Sequence, residues 1–161
     1  MNGASPVVFD NQVFVTASYG IGSAAARIEA SGAEVLWRDP DILASQYTTC
    51  IAHEGHLFGI DGRQDGPAAD LKCFDPVSRE TRWTERSFGY ATLLKADDKL
   101  LIVTADGEAV LAAPDTGRYR ELARARIADT TARALPALAD GRLYVRDTRT
   151  LRCFELSRPQ E

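Results

Sequence analysis

A ten-residue pattern recurs four times along this chain: a short apolar stretch, a tight polar turn, then a more strongly apolar stretch. It reads Pro-Val-Val-Phe-Asp-Asn-Gln-Val-Phe-Val at 6–15 and Cys-Ile-Ala-His-Glu-Gly-His-Leu-Phe-Gly at 50–59. It returns as Leu-Leu-Lys-Ala-Asp-Asp-Lys-Leu-Leu-Ile at 93–102 and as Pro-Ala-Leu-Ala-Asp-Gly-Arg-Leu-Tyr-Val at 136–145. The residue after the turn is Gln12, His56, Lys99 and Arg142, so the spacings are 44, 43 and 43 residues. A fixed spacing means one supersecondary unit used repeatedly, because no single copy buries its own apolar faces and each must stack on the next.

Each copy reads as a hairpin. The turn pairs Asp10-Asn11, Glu54-Gly55, Asp97-Asp98 and Asp140-Gly141 are residues that tolerate positive φ, as two-residue hairpin loops demand. The following strand is almost continuously apolar, as in Val13-Phe14-Val15 and Leu100-Leu101-Ile102-Val103. That is the signature of a strand covered on both faces rather than on one. A second hairpin follows. Ala26–Ile28 leads through Ser31-Gly32 to Val35–Trp37, and Leu71–Phe74 leads through Asp75–Ser78 to Thr81–Trp83. Ala109–Leu111 leads through Asp115–Gly117 to Tyr119–Ala123, and the fourth copy has Leu151–Leu156 alone. Residues 23–30 and 120–128 are rich in Ala and Arg and look locally helical, but the repeat phase assigns them to strands, and propensity is the weaker signal.

The period is that of a propeller blade, about 40–50 residues. The expected fold is therefore all-β: a β-propeller of about four four-stranded antiparallel blades, partial or small. The blades fall at approximately 5–39, 48–86, 91–126 and 135–158 of a single domain or propeller fragment. With 161 residues the chain has room for one domain. An unclosed arc exposes an apolar blade face. Three arrangements follow: an open arc or fragment, a closed four-bladed ring, or two chains completing an eight-bladed ring.

The segment Ile28–Trp37, Ile-Glu-Ala-Ser-Gly-Ala-Glu-Val-Leu-Trp, resembles the tryptophan-docking motif of PQQ-type quinoprotein β-propellers. Phe74–Trp83 is a second copy with Arg79 in the usual glycine place, and Ala113–Gly117 keeps the turn with Leu122 near the tryptophan place. The resemblance spans nearly the whole chain. It is to bacterial PQQ-binding-like repeat proteins and, more distantly, to the B-subunit lipoproteins of outer-membrane β-barrel assembly. It implies that Trp37, Trp83, Gly32 and Gly117 are blade-docking residues. A tryptophan buries roughly 200 Å² and donates one N–H, which suits it to wedge between blades. The resemblance also implies an exported or periplasmic setting, whereas Met-Asn-Gly-Ala-Ser-Pro at the start has no basic and apolar signal-peptide character.

The net charge of −4 gives no basic footprint for nucleic acid, and no apolar run reaches the roughly 20 residues of a membrane span. Residues 1–117 carry 9 basic and 17 acidic side chains, residues 118–161 carry 10 and 6, so the two ends are expected to attract one another. Cys50, Cys73 and Cys153 have apolar neighbours and read as buried thiols, not as a disulfide or zinc framework.

For chemistry the sequence offers little. Quinoprotein dehydrogenases of the resembled family hold PQQ and calcium over a tryptophan floor, with a catalytic aspartate and often an adjacent cysteine pair. No such pair occurs, and no acidic set aligns with the calcium ligands. No catalytic or metal-binding residue is assigned. His53 and His56 flank one turn and are too few for a tight metal site. The Asp61–Pro67 segment, with Asp61, Arg63 and Asp65, is the candidate binding loop, since rim loops on a rigid scaffold carry recognition. Arg118, Arg120, Arg124 and Arg126 line part of an outer strand. The function expected is a non-enzymatic scaffold of PQQ-like repeats binding a protein or other ligand through rim loops, or associating with itself. The alternatives are a fragment or degenerate relative of a PQQ-dependent dehydrogenase, and a carbohydrate-binding propeller using Tyr19, Tyr47, Phe88 and Tyr90.

Overall fold

The computed structural model describes residues 3–156. These form fifteen strands in four separate antiparallel sheets, with no helix among the described residues. Blade 1 holds β1 (Val7–Phe9), β2 (Gln12–Ala17), β3 (Gly22–Glu29) and β4 (Gly32–Asp39). Blade 2 holds β5 (Ile51–His53), β6 (His56–Asp61), β7 (Asp70–Phe74) and β8 (Thr81–Glu85). Blade 3 holds β9 (Ala91–Ala96), β10 (Lys99–Thr104), β11 (Glu108–Ala112) and β12 (Glu121–Arg126). Blade 4 holds β13 (Ala137–Ala139), β14 (Arg142–Arg146) and β15 (Leu151–Glu155). Within every sheet the strands follow chain order as a meander. The result is a partial β-propeller, and the Ala/Arg-rich stretches lie in β3 and β12.

The repeat phase is kept to the residue. Gln12, His56, Lys99 and Arg142 each open the second strand of a blade and pair with Phe9, His53, Ala96 and Ala139. Two residues therefore bridge each first hairpin. The first of them is left-handed in all four: Asp10, Glu54, Asp97 and Asp140 have φ between 45° and 50°. A two-residue loop with positive φ matches the twist of the strands it joins.

The second hairpins differ from expectation at the glycines. Glu29 pairs with Gly32, so Ala30-Ser31 is the turn and Gly32, at φ 136°, is the first residue of β4. Gly117 is not left-handed. It lies in a turn closed by its own N–H, which donates to Asp115 Oδ1 at 2.8 Å, and the carboxylate does what glycine freedom was expected to do. Arg79, in contrast, has φ 66°, the conformation for which a glycine is the ordinary choice.

The blades stack through three separate cores. The first joins blades 1 and 2 through Phe14, Ile42, Leu43, Leu57 and Phe74. The second, between blades 2 and 3, contains Phe58, Ile60, Leu71, Leu100 and Ile102. The third, between blades 3 and 4, is built of smaller side chains with no buried aromatic ring and centres on Leu101, Val103, Leu143 and Val145. Alternate residues of each second strand serve alternate seams, which explains the continuous apolar run in β6 and β10. In β2 and β14 the same pattern leaves one side uncovered: Val15 and Arg146 are exposed while Phe14 and Val145 are buried. Val8, Val15, Ile28 and Val35 on the outer side of blade 1 and Leu151 on that of blade 4 are exposed, and among the described residues no buried cluster joins blade 1 to blade 4, so the arc is open and is not a closed four-bladed ring.

Candidate functional site

Both tryptophans stand on the outermost strands and reach across a seam. Trp37 Nε1 donates to the Pro76 carbonyl and Trp83 Nε1 to the Asp115 carbonyl, each at 2.9 Å. Both acceptors lie in the turn between the third and fourth strands of the next blade. The rings pack on Phe14 and Phe58, with centroids 6.1 and 5.9 Å apart. A β-bulge precedes the tryptophan in both blades, shifting register between Ala25 and Ala26 and between Cys73 and Phe74. The same bulge in β12 opposes Leu111 to Ala123. Ala123, not Leu122, thus occupies the tryptophan position of blade 3. The seam without an indole holds a groove of about 780 Å³ lined by Leu101, Leu111, Ala123, Leu143 and Phe154.

The polar constellation that the fold does assemble lies on the rim formed by the β2–β3 turn, the blade 1–2 crossover and the β6–β7 loop. Gln46 Nε2 donates to the Tyr19 hydroxyl at 2.8 Å, and Gln46 Oε1 accepts the Gln64 N–H at 3.1 Å. The Tyr47 hydroxyl donates to Gln64 Oε1 at 2.6 Å. Arg63 lies over the Tyr19 ring, 4.9 Å from its centroid, and its Nε is 3.2 Å from Asp65 Oδ1. Below this layer the Tyr90 hydroxyl accepts the backbone N–H of Tyr47 and of Thr48. Burial, and then the neighbouring Tyr90, push the Tyr47 hydroxyl up to about 12, so it stays a donor across the physiological range.

These contacts sort the sequence candidates. Arg63 and Asp65 belong to the rim. Asp61 does not: it ends β6, accepts the Ala44 N–H at 2.8 Å and pairs with Lys72. Lys72 Nζ also reaches the Ile42 carbonyl at 3.2 Å, so this pair fastens the crossover to blade 2. Of the four aromatics, Tyr19 is 50% exposed while Tyr90 is 6% exposed and stacked on Tyr47. Phe88 lies away from the others, edge-on to Tyr119 and beneath Arg124. They form no continuous aromatic platform for a sugar ring. Gln46 and Gln64, which organise the rim, carry no sequence signal at all, because an isolated glutamine resembles any other surface residue.

Most of the remaining candidates are committed to internal contacts, while Arg118 is exposed. His53 and His56 face each other across their turn, and His56 Nδ1 is 2.9 Å from the Glu54 carbonyl oxygen. No group of three or more His, Cys, Asp or Glu side chains suited to a metal exists among the described residues. Arg124 bridges Glu108 and Glu121, which holds the Glu121 carboxyl below its ordinary range through the Arg124 hydrogen bond. Arg126 donates to the Asp106 carbonyl at 2.8 Å, and Arg120 is 4.0 Å from Asp115. Cys50 and Cys73 are buried, and burial pushes both thiols up to about 12. Cys153 is exposed, contrary to expectation, because it lies on the uncovered side of blade 4. The described residues do not fit a PQQ–calcium site. Both indoles are fixed in seams on outer strands, and no acidic cluster is available to hold the ion.

No family model matches the chain, and no curated protein matches it. Solved structures do. BamB from Moraxella catarrhalis superposes with a TM-score of 0.65 at 13% identity, covering 93% of this chain and 42% of that one. The computationally designed protein Ika8 gives 0.67 at 16% identity, covering 94% and 45%. A europium-containing methanol dehydrogenase gives 0.54 at 14% identity, covering 78% and 25%. The chain spans less than half the length of each. At these identities the likeness is one of fold: this is an all-β, partial propeller whose blades are similar to those of PQQ-like propellers.

Proposed function

We propose that the protein is a non-enzymatic binding scaffold that engages a protein partner through the rim of blades 1 and 2. One observation carries the reading. Three loops from two blades are cross-braced by Tyr19, Gln46, Tyr47, Arg63 and Gln64, and the brace leaves Tyr19 half exposed with Arg63 and Asp65 beside it. A recognition surface held in place before binding loses little entropy when it docks, and tyrosine and arginine are the side chains that anchor protein interfaces. The carboxyls held below their ordinary range support this, because Asp75 and Asp147 serve turns and Glu121 an outer-strand ion pair instead of converging on a cleft.

The test is retention of a partner from extract of the native host on immobilised protein. Tyr19→Ala with Arg63→Glu is compared with Glu80→Ala on the opposite rim. The rim pair abolishes retention at an unchanged melting temperature, and Glu80→Ala retains the partner. Equal retention by the rim pair and the wild type refutes the reading. Titration with PQQ and calcium leaves the quinone absorbance unperturbed.

A further inference from the structure

We infer that two copies of this chain close into one ring, the outer face of blade 4 in each copy covering the outer face of blade 1 in the other. The argument starts from the repeat. In every blade the second strand turns one pair of side chains toward the preceding blade and the alternate pair toward the following one. Toward the preceding blade the chain offers Leu100 and Ile102 in blade 3, and Leu143 and Val145 in blade 4, all of them buried. Val13 and Val15 hold the same positions in blade 1, yet no described strand covers that side of blade 1 and Val15 is 43% exposed. The register adds Val8, Ala24, Ala26, Ile28 and Val35 to this face. Val8, Ile28 and Val35 are each more than half exposed. A contiguous apolar patch of this kind marks an interface.

The other end is built to meet it. Toward the following blade the repeat places Phe14, Phe58 and Leu101, and in blade 4 that position is Tyr144. The strand pairing sets Ala137 and Cys153 beside Tyr144, and Leu151 beside Arg146. Leu151 is exposed and Tyr144 only partly covered. Both faces thus continue an interface type already formed three times inside the chain, which makes blade 4 of another copy the matching occupant of the blade 1 face. The span is compatible: the chain covers 42% of BamB and 45% of Ika8, so two chains match the length of either, whereas the designed Ika4, of which it covers 92%, is itself about one chain long. A twofold axis through the ring then creates both contacts at once and leaves no open end.

The contact is apolar, not ionic. No acid of β1–β4 lies on the open side of blade 1: Glu34 pairs with Arg27 on the opposite side, and Asp39 turns back to cap Asp41. The attraction between acidic and basic ends expected from the sequence has few groups on these faces: Arg38 lies on the open side of blade 1, and Arg142, Arg146 and Glu155 on that of blade 4.

Light scattering on the purified chain is the experiment. The expected mass is about 35 kDa, twice the 17.6 kDa of the chain, and it persists in roughly 1 M salt because apolar contacts are not screened. Val15→Arg and Tyr144→Asp, on opposite faces, each raise the dimer dissociation constant about 100-fold or more with unchanged circular dichroism. An equimolar mixture of the two variants recovers dimer, since one wild-type contact survives in the mixed pair. Cys153 reacts with a thiol reagent more slowly as protein concentration rises. A mass of 17.6 kDa at tens of micromolar, a ladder of higher oligomers, or failure of the mixture to reassociate overturns the inference.

Discussion

Trp83 shows how one side chain joins two blades. Its ring packs between Phe58 and Tyr119, and its N–H is spent on the Asp115 carbonyl. Truncation to Ala removes the packing and the bond together and costs about 3–5 kcal/mol. Trp83→Phe keeps most of the packing and costs about 1–2 kcal/mol. Urea denaturation of the two variants separates these effects, and equal losses would contradict the packing role. Arg79 is the reverse case. Its left-handed backbone at φ 66° penalises any residue with a Cβ by about 1 kcal/mol, so Arg79→Gly stabilises by about 0.5 kcal/mol after the entropy of glycine is subtracted. The same denaturation series measures it. The departure from glycine was legible in the sequence. That Gly117 needs no left-handed backbone was not, because the Asp115 carboxylate that closes its turn reveals itself only in three dimensions.

At the scale of the element, the bulge before the last strand decides which side chain enters the seam. The bulge moves Ala123 into the tryptophan position, so counting residues along the chain to Leu122 misses by one. The groove left there makes Ala123→Trp a filling change. It stabilises by about 0.5–2 kcal/mol, read as a higher melting temperature, and a fall would show that the groove cannot admit an indole. Blade 4 carries a second element-level device. The Arg149 and Thr150 backbone N–H groups and the Arg152 guanidinium converge on Asp147. They hold its carboxyl far below the usual 3.8. A depressed folded-state value means that the stabilisation is present above about pH 4 and lost as pH falls through the folded value. Blade 4 therefore loosens in acid. Asp147→Asn flattens the dependence of stability between about pH 4 and pH 2, measured by denaturation at successive pH values.

At the scale of the molecule, each blade touches only its neighbours, so stability is distributed along the arc. Blades 2 and 3 are clamped from both sides. Blade 4 has three strands, and the seam that holds it contains no buried aromatic ring. In the Val15→Arg variant, where both end faces are bare, amide exchange is fastest in β13–β15 and slowest in β6, β7 and β10. Uniform protection across the four blades would show instead that the arc unfolds as one cooperative unit.

The periodic signal alone determined the strand order, the four first hairpins and the residues that bury in the seams. Period, turn chemistry and two-sided apolar runs are local properties written into consecutive residues. What only the tertiary structure decided depends on groups far apart in the chain. It brought Gln46 and Gln64 to Tyr19, turned Asp61 from a loop candidate into a partner of Lys72, and left Cys153 and Val15 on bare faces. The repeat specifies what a blade offers its neighbours, and the curvature of the arc decides which of those offers is taken up within one chain.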